Sequence, residues 1–191
     1  MHKVRGFKLT LRPAEIKRRA KKAGLDLLAL GLDDIEIQRL AADAAKNMAP
    51  AVLFDTFKHP DSDAAALSPI PGLAYSVILA TLGPGFAPAL ERAQGISSEM
   101  YAVWGLLQEI ALDEAVRFAS TILEDEAGRE SCVLSPWNAL QDPAAIQTAL
   151  FKLDAAKIEV RLQDGRLDPA ASAVVSLSWL AQVKTRSKKK E

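Results

Sequence analysis

Few residues in this chain have the types and spacing that chemistry demands. Thr81-Leu82-Gly83-Pro84-Gly85-Phe86 closes an apolar run with a Gly-Pro-Gly turn, where a phosphate-binding loop could sit. It lacks the Lys-Ser/Thr pair of a P-loop and the spacing of a dinucleotide fingerprint. It therefore reads as a strand-end turn, in which glycine permits positive φ and close backbone approach. Cys132, the single cysteine, lies in apolar Ser-Cys-Val-Leu. A nucleophilic thiol needs a base or a cation beside it, and nothing in the spacing brings His59 there, so a buried, inert thiol is expected. One cysteine also excludes an intramolecular disulfide framework and a multi-cysteine zinc site. Glu109, Asp113, Glu114 and the 124–126 acidic run share one helical stretch. Asp113 and Arg117 form an ordinary i,i+4 pair, and the group reads as a solvated face rather than an acid–base couple. Trp104, Trp137 and Trp179 lack the basic interleaving of a nucleic-acid reader. Trp137 and Trp179 are candidates for a self-interface in a homo-oligomer.

Positioning these residues requires a mixed set of elements. Residues 7–11 alternate apolar and polar like an edge strand. Pro13 opens a short basic helix that stops at Gly24. Asp33 caps a second helix, through about residue 48, with Ile35, Ile37, Leu40 and Ala44 among its apolar positions. Strands are expected at 51–57 and 74–83, the second a continuous apolar run of the kind buried on both faces. A loop fills 58–72, and a short helix spans 88–94. Ser97 or Ser98 opens the longest helix, to about residue 126. Its apolar residues recur at three- and four-residue steps from Leu106 to Ile122, which marks the central core helix. Gly105 weakens it locally, unless close packing against the sheet requires a small residue there. A strand at 131–136, a helix from Pro143 through about residue 157 capped by Asp142, a strand at 158–162, the Asp164-Gly165 turn and a strand at 173–183 complete the chain. With no regular βαβ rhythm, the fold class is α+β, with a mixed or mostly antiparallel sheet and a long central helix.

The 191 residues suit one domain, 1–183, followed by a basic disordered tail, 184–191. Lys+Arg and Asp+Glu balance at 24 each, so net charge points to neither nucleic acid nor a membrane surface. The charge is segregated, however. Residues 1–22 carry nine basic groups against Glu15 alone, and residues 184–191 carry five against Glu191. The N-terminal excess reads as a docking surface for an acidic partner, with Lys17, Arg18, Lys21 and Lys22 on the outside of their helix. No signal-peptide h-region or spanning segment is present, and cytoplasm is the expected compartment.

Three segments, taken in order, resemble the activation (S-adenosylmethionine-binding) domain of cobalamin-dependent methionine synthase and its stand-alone relatives in anaerobic bacteria. AYSVILATLGPGF looks like that family's strand ending in a Thr-Leu-Gly turn. GLLQEIALDEAVRFASTIL is similar to the helix that follows. CVLSPWNALQDPAAIQTALFKLDAAKIEVRLQDGRLDPAASAVVSLSWL carries the Ser-Pro, Leu-Phe-Lys-Leu, Val-Arg-Leu and Leu-Asp-Pro-Ala-Ala-Ser pieces of its C-terminal half. RPAEIKRRAKKAG looks like the short helix that opens stand-alone members. Together these cover about two thirds of the chain.

The resemblance implies a cofactor site drawn from Glu114, Arg129, Ser135, Pro136, Trp137 and Asn138. In the family an Arg-x-x-x-Gly-Tyr motif grips S-adenosylmethionine. Aligned on Pro136, its Arg, Gly and Tyr fall on Val133, Trp137 and Asn138. Valine cannot make the charged hydrogen bond to the ligand carboxylate, a contact of about 1.5–3 kcal/mol. Trp137 stands where glycine would leave room for the ligand. The implied function is an accessory protein that docks on a corrinoid protein or corrinoid-dependent methyltransferase without methyl-transfer chemistry of its own. It would meet cobalamin only through the partner and bind S-adenosylmethionine weakly or not at all. The alternatives are an enzyme of reductive cobalamin activation that holds S-adenosylmethionine by other residues, with Arg129 and Glu114 as its grips, and a ligand-free oligomeric scaffold.

Overall fold

A computed structural model describes residues 1–182; the basic tail expected at 184–191 lies outside the described residues. The fold is α+β. Its main sheet runs β1 (His2–Arg5), β2 (Ala51–Lys58), β3 (Ala74–Thr81), β8 (Ser172–Ala181), then β4 (Cys132–Leu134), with β5 (Asn138–Ala139) also paired to β8. Every ladder in it is antiparallel. A separate hairpin joins β6 (Arg161–Gln163) to β7 (Arg166–Asp168). Its Asp164-Gly165 turn has φ of +50° and +74°, the left-handed pair that a type I′ turn needs.

Strand β3 is buried at all eight positions, as its unbroken apolar run requires. Its alternate side chains therefore feed two cores. Ala74, Ile78 and Ala80 meet Val52, Phe54, Val175 and Leu177 beneath four helices: α1 (Pro13–Lys22), α2 (Asp34–Lys46), α4 (Phe86–Gln94) and α5 (Ser98–Arg129). Tyr75, Val77 and Leu79 meet Leu53 and Val174 beneath α6 (Pro143–Lys152) and the 3-10 turn Ala155–Ile158. The one-turn helix α3 (Ala64–Leu67) adds Leu67 to this second core.

Helix α5 is 32 residues long, about 48 Å at 1.5 Å per residue. Ser97 starts it by accepting the Met100 N–H at 3.0 Å. Leu107, Ile110, Ala111, Ala115, Ala119 and Leu123 lie buried against the sheet. Asp33 caps α2 by accepting from the N–H groups of Ile35 and Glu36 at 2.9 Å each. Asp142 caps α6 through the Ala145 N–H at 3.0 Å. On α1, Arg18 and then Arg19 hydrogen-bond Glu15 and hold its carboxyl down to about 2.

Several sequence expectations change in three dimensions. Residues 7–11 do not form a strand; the first strand is β1, before Gly6. The alternation there is real, but it faces the helix layer. Phe7 and Leu9 pack on the core, Leu11 is buried, and the Phe7 ring stacks on Phe118 at 4.5 Å. Ile35, placed on the apolar face of α2, is 60% exposed. Helix α6 ends at Lys152 rather than about residue 157, and Ile158 lies in the 3-10 turn, not in a strand. Gly105 does not serve close packing: a Cβ built there meets nothing within 4 Å.

Two stability outcomes follow. Ile110 is 1% exposed, so Ile110→Ala is expected to lose about 2–5 kcal/mol in chemical denaturation. Gly105→Ala is expected to gain about 0.5–1 kcal/mol by removing a helix-interior glycine where a methyl group has space. A loss on Gly105→Ala would mean that a small residue is needed there.

Candidate functional site

The expected site residues are placed on one side of the sheet and along one helix, and they do not converge. Ser135 extends the β4 ladder. Its N–H donates to the Ser178 carbonyl at 2.9 Å, its hydroxyl accepts the Ser178 N–H at 2.9 Å, and that hydroxyl donates to the Pro136 carbonyl at 2.9 Å. Both hydroxyl roles are thereby filled within the backbone network. Asn138 pairs through its backbone in β5, opposite Ser176, and its side chain is exposed. Pro136 and Trp137 are exposed, and Trp137 therefore does not occupy a ligand space in the interior. Val133 is 44% exposed on the outer strand β4. Arg129 ends α5 and Glu114 lies fifteen residues earlier on the same helix, about 22 Å away along its axis.

That separation bears directly on S-adenosylmethionine. The ammonium and carboxylate of its amino-acid end sit on a single carbon, so their two grips must lie within a few ångströms of each other. Glu114 and Arg129 cannot act as that pair.

The candidate nucleophile is equally isolated. His59 is level with Leu73, Leu180 and Val133 across successive strands, three inter-strand spacings or about 14 Å from β4. Cys132 is buried with its thiol near the Glu130 carbonyl at 3.6 Å. Trp179 is 3% exposed and its indole N–H donates to Ser76 Oγ at 2.7 Å. It therefore cannot contribute to a surface self-interface.

The structure brings together two other sets. The first is a clamp that sequence reading missed. Lys152 on α6 donates to Asp61 at 2.9 and 3.1 Å and to Asp63 at 2.8 Å, its ammonium lies 4.7 Å from the centre of the Phe57 ring, and the Tyr75 hydroxyl donates to Asp61 at 3.0 Å. Burial works against the charge on Lys152, but its hydrogen bonds to Asp63 and Asp61 outweigh this and raise its pKa. Asp61 is held below the usual carboxylate range by Lys152 and then by the Asp63 N–H. At neutral pH the ammonium stays charged, Asp61 stays ionised and the phenol stays neutral. None is poised to exchange a proton, so the cluster ties the 58–72 loop to α6. Asp61 and Lys152 are 91 positions apart, and no local pattern could have linked them.

The second set is a cleft of about 590 Å³ at the end of the sheet where β1 and β3 finish and β2 begins. Its apolar wall includes Pro50, Ala51, Ile158, Val160 and Pro169. Thr81, Gly83 and Pro84 form one side, and Asp168 and Pro169 another. These two sides are joined directly. Ser172 Oγ donates to Thr81 Oγ1 at 2.8 Å, and the Leu82 N–H donates to the Ala171 carbonyl at 2.8 Å. Gly83, at φ +80°, turns the chain so that the Ala49 N–H reaches the Leu82 carbonyl at 2.7 Å; a Cβ on Gly83 would meet Ala49 Cβ at 3.0 Å. The positive φ, with this close approach to Ala49, favours glycine there. On the rim, Arg5 binds the Lys157 carbonyl and approaches Glu159 at 3.5 Å, while Arg161 pairs with Asp168 at 2.7 Å. The rim charges neutralise one another in surface pairs of small individual worth.

No protein-family model matches this chain, and no curated protein is similar to it in sequence. Among the described residues no group of three or more His, Cys, Asp or Glu could hold a metal ion. No helix among them is long and apolar enough to cross a membrane.

The clamp predicts an alkaline signature. Burial, and then its hydrogen bond to Asp61, push the Tyr75 phenol up to about 12. A raised tyrosine supports the fold fully below its ordinary value of about 10 and loses that support as pH rises through the folded value. Phenolate absorbance should therefore show a late step near pH 12, or at alkaline unfolding if that comes first. Tyr75→Phe should remove the step; its persistence would disprove the assignment.

Proposed function

We propose that this chain is a binding module, resembling the methionine synthase activation domain, that docks on a corrinoid protein or corrinoid-dependent methyltransferase and performs no methyl transfer itself. One observation carries the reading. The Thr-Leu-Gly turn at 81–83 and the Leu-Asp-Pro-Ala-Ala-Ser segment at 167–172 are two pieces of a resemblance carried by order and spacing, and about 85 residues separate them. They are hydrogen-bonded to each other and share one cleft. Thr81 and Ser172 are register partners at the ends of β3 and β8, so the two pieces flank one cleft. The absence of a proton-exchanging group from the Lys152 clamp, and the distance between Arg129 and Glu114, favour docking over catalysis.

The enzyme reading keeps one observation in its favour. Trp137 lies at the surface, 36% exposed, and so does not itself block a ligand beside β5.

Calorimetry separates the two. The chain should form a complex with the cobalamin-loaded corrinoid protein, or with the corrinoid-dependent methyltransferase, of its own source. S-adenosylmethionine alone, up to about 1 mM, should give no binding heat. Micromolar S-adenosylmethionine binding would favour the enzyme. Failure to bind either protein would remove the docking reading.

A further inference from the structure

Two cationic features lie outside the clamp, and they differ in what surrounds them. Helix α1 exposes Lys17, Arg18, Lys21 and Lys22, as its sequence predicts. The fold sets acids against them: Lys17 pairs with Asp34, and Arg18 with Glu15 at 2.6 Å. These charges stand on an open helix face, where salt screens them. Arg5 stands instead at the mouth of the cleft of about 590 Å³.

Arg5 is held in place with most of its donors still open. Its Nη2 donates to the Lys157 carbonyl, which fixes the guanidinium against the 3-10 turn. The same nitrogen lies 3.5 Å from Glu159 Oε1, and the two side chains are 46% and 79% exposed, so this pair contributes little. Nε and Nη1 of Arg5 have no hydrogen-bond partner among the described residues. The other arginine of the rim differs. Arg161 directs both Nε and Nη2 at one oxygen of Asp168, at 2.8 and 2.7 Å. One guanidinium therefore remains available to an anion, and a carboxylate is the group its planar fork of donors matches.

Behind Arg5 the wall is apolar, with Ile158, Val160 and Pro169 on it, and small residues such as Gly6 and Ala156 leave the space open. The volume falls within the range of about 300–1,000 Å³ typical of small-molecule sites. An apolar body gains by leaving water against this wall. A single negative charge at its end meets Arg5. The second charge of a phosphate ester would lie among the Glu159 and Asp168 carboxylates with no further open guanidinium, and a cation would meet Arg5 itself.

We infer that this cleft binds a small carboxylic acid with an apolar body, its carboxylate on Arg5 and its body against Ile158, Val160 and Pro169. The inference goes beyond the corrinoid reading and does not rest on it. It concerns a free ligand of the chain alone, and its failure leaves complex formation with a corrinoid partner untouched.

Phenylbutyrate is the probe, with phenylbutanol and phenylbutylamine as its uncharged and cationic counterparts. Amide NMR spectra of the full chain report both affinity and location. Phenylbutyrate should give saturable shifts at the Ala51, Gly83 and Val160 amides with a Kd below about 1 mM, and the alcohol and the amine should bind at least about tenfold more weakly. Arg5→Gln should weaken the acid about tenfold and leave the alcohol unaltered, which also shows that the cleft is intact. Glu159→Gln removes the competing carboxylate and should tighten the acid about twofold or more without changing the alcohol. Ala156→Trp, at an exposed position on the wall, should abolish binding of both. The absence of saturable shifts up to about 10 mM would overturn the inference. So would equal affinity for acid and alcohol, shifts confined to residues outside the cleft, or an equal loss of both ligands in Arg5→Gln.

Discussion

Strand β3 is hydrogen-bonded along both edges and covered on both faces, and most other features answer that burial. A strand in this position exposes no side chain to water, so each of its faces needs its own cover. Helix α5, with α1, α2 and α4 around it, supplies one; α6 and the following 3-10 turn supply the other. Residues such as Ile78 and Leu79 each contribute about 1.5–3 kcal/mol by this burial. The polar atoms that β3 carries inward must also be satisfied. Ser76 Oγ meets the indole N–H of Trp179 at 2.7 Å and Thr56 Oγ1 at 2.7 Å. The Tyr75 hydroxyl needs an acceptor and finds Asp61, whose charge then needs Lys152. The clamp over the 58–72 loop is in this sense a consequence of placing a tyrosine in the central strand.

The same strand determines where a cleft can form. Its C-terminal end emerges at Thr81, where the Gly83 turn bends the chain against Ala49 while β8 begins alongside at Ser172. The backbones part there, and small side chains, Ala49, Ala51 and Ala156 among them, leave the gap partly open. The rim charges are paired and the wall is apolar. The cleft can accept an apolar surface, with its rim carboxylates Glu159 and Asp168 set beside Arg5 and Arg161. At the opposite end of β8, Val133, Pro136, Trp137 and Asn138 stand in solvent while Ser135 is engaged in sheet hydrogen bonds. The two ends of one strand thus differ in what they can do, and the difference lies in side-chain chemistry rather than in backbone course.

Local signals were legible where the physics is local. The caps at Asp33, Ser97 and Asp142, the Asp164-Gly165 turn, the period of α5 and the unbroken apolar run of β3 all act within a few residues. Their elements are found within a few positions of the expected bounds. Alternation at 7–11 was legible too, but it records only that one side is covered. Whether the cover is a neighbouring strand or a helix layer depends on where the chain goes after Gly6. The Ile35 position failed for a related reason: helical period marks candidate faces, and packing selects the face that is used.

The sequence by itself determined an α+β chain with a doubly buried strand, a long core helix and a lone, buried thiol, because period, capping and apolar runs are short-range properties. It also contained the Thr-Leu-Gly and Leu-Asp-Pro-Ala-Ala-Ser segments, though not their meeting. Tertiary structure alone decided that Ser172 would reach Thr81, that Lys152 would pair with both Asp61 and Asp63, that Arg129 and Glu114 would stay apart, and that the basic α1 would face acids at the start of α2. Each of these depends on groups distant along the chain or on the direction in which a helix face points. Such relations come into existence only when the two faces of β3 are covered.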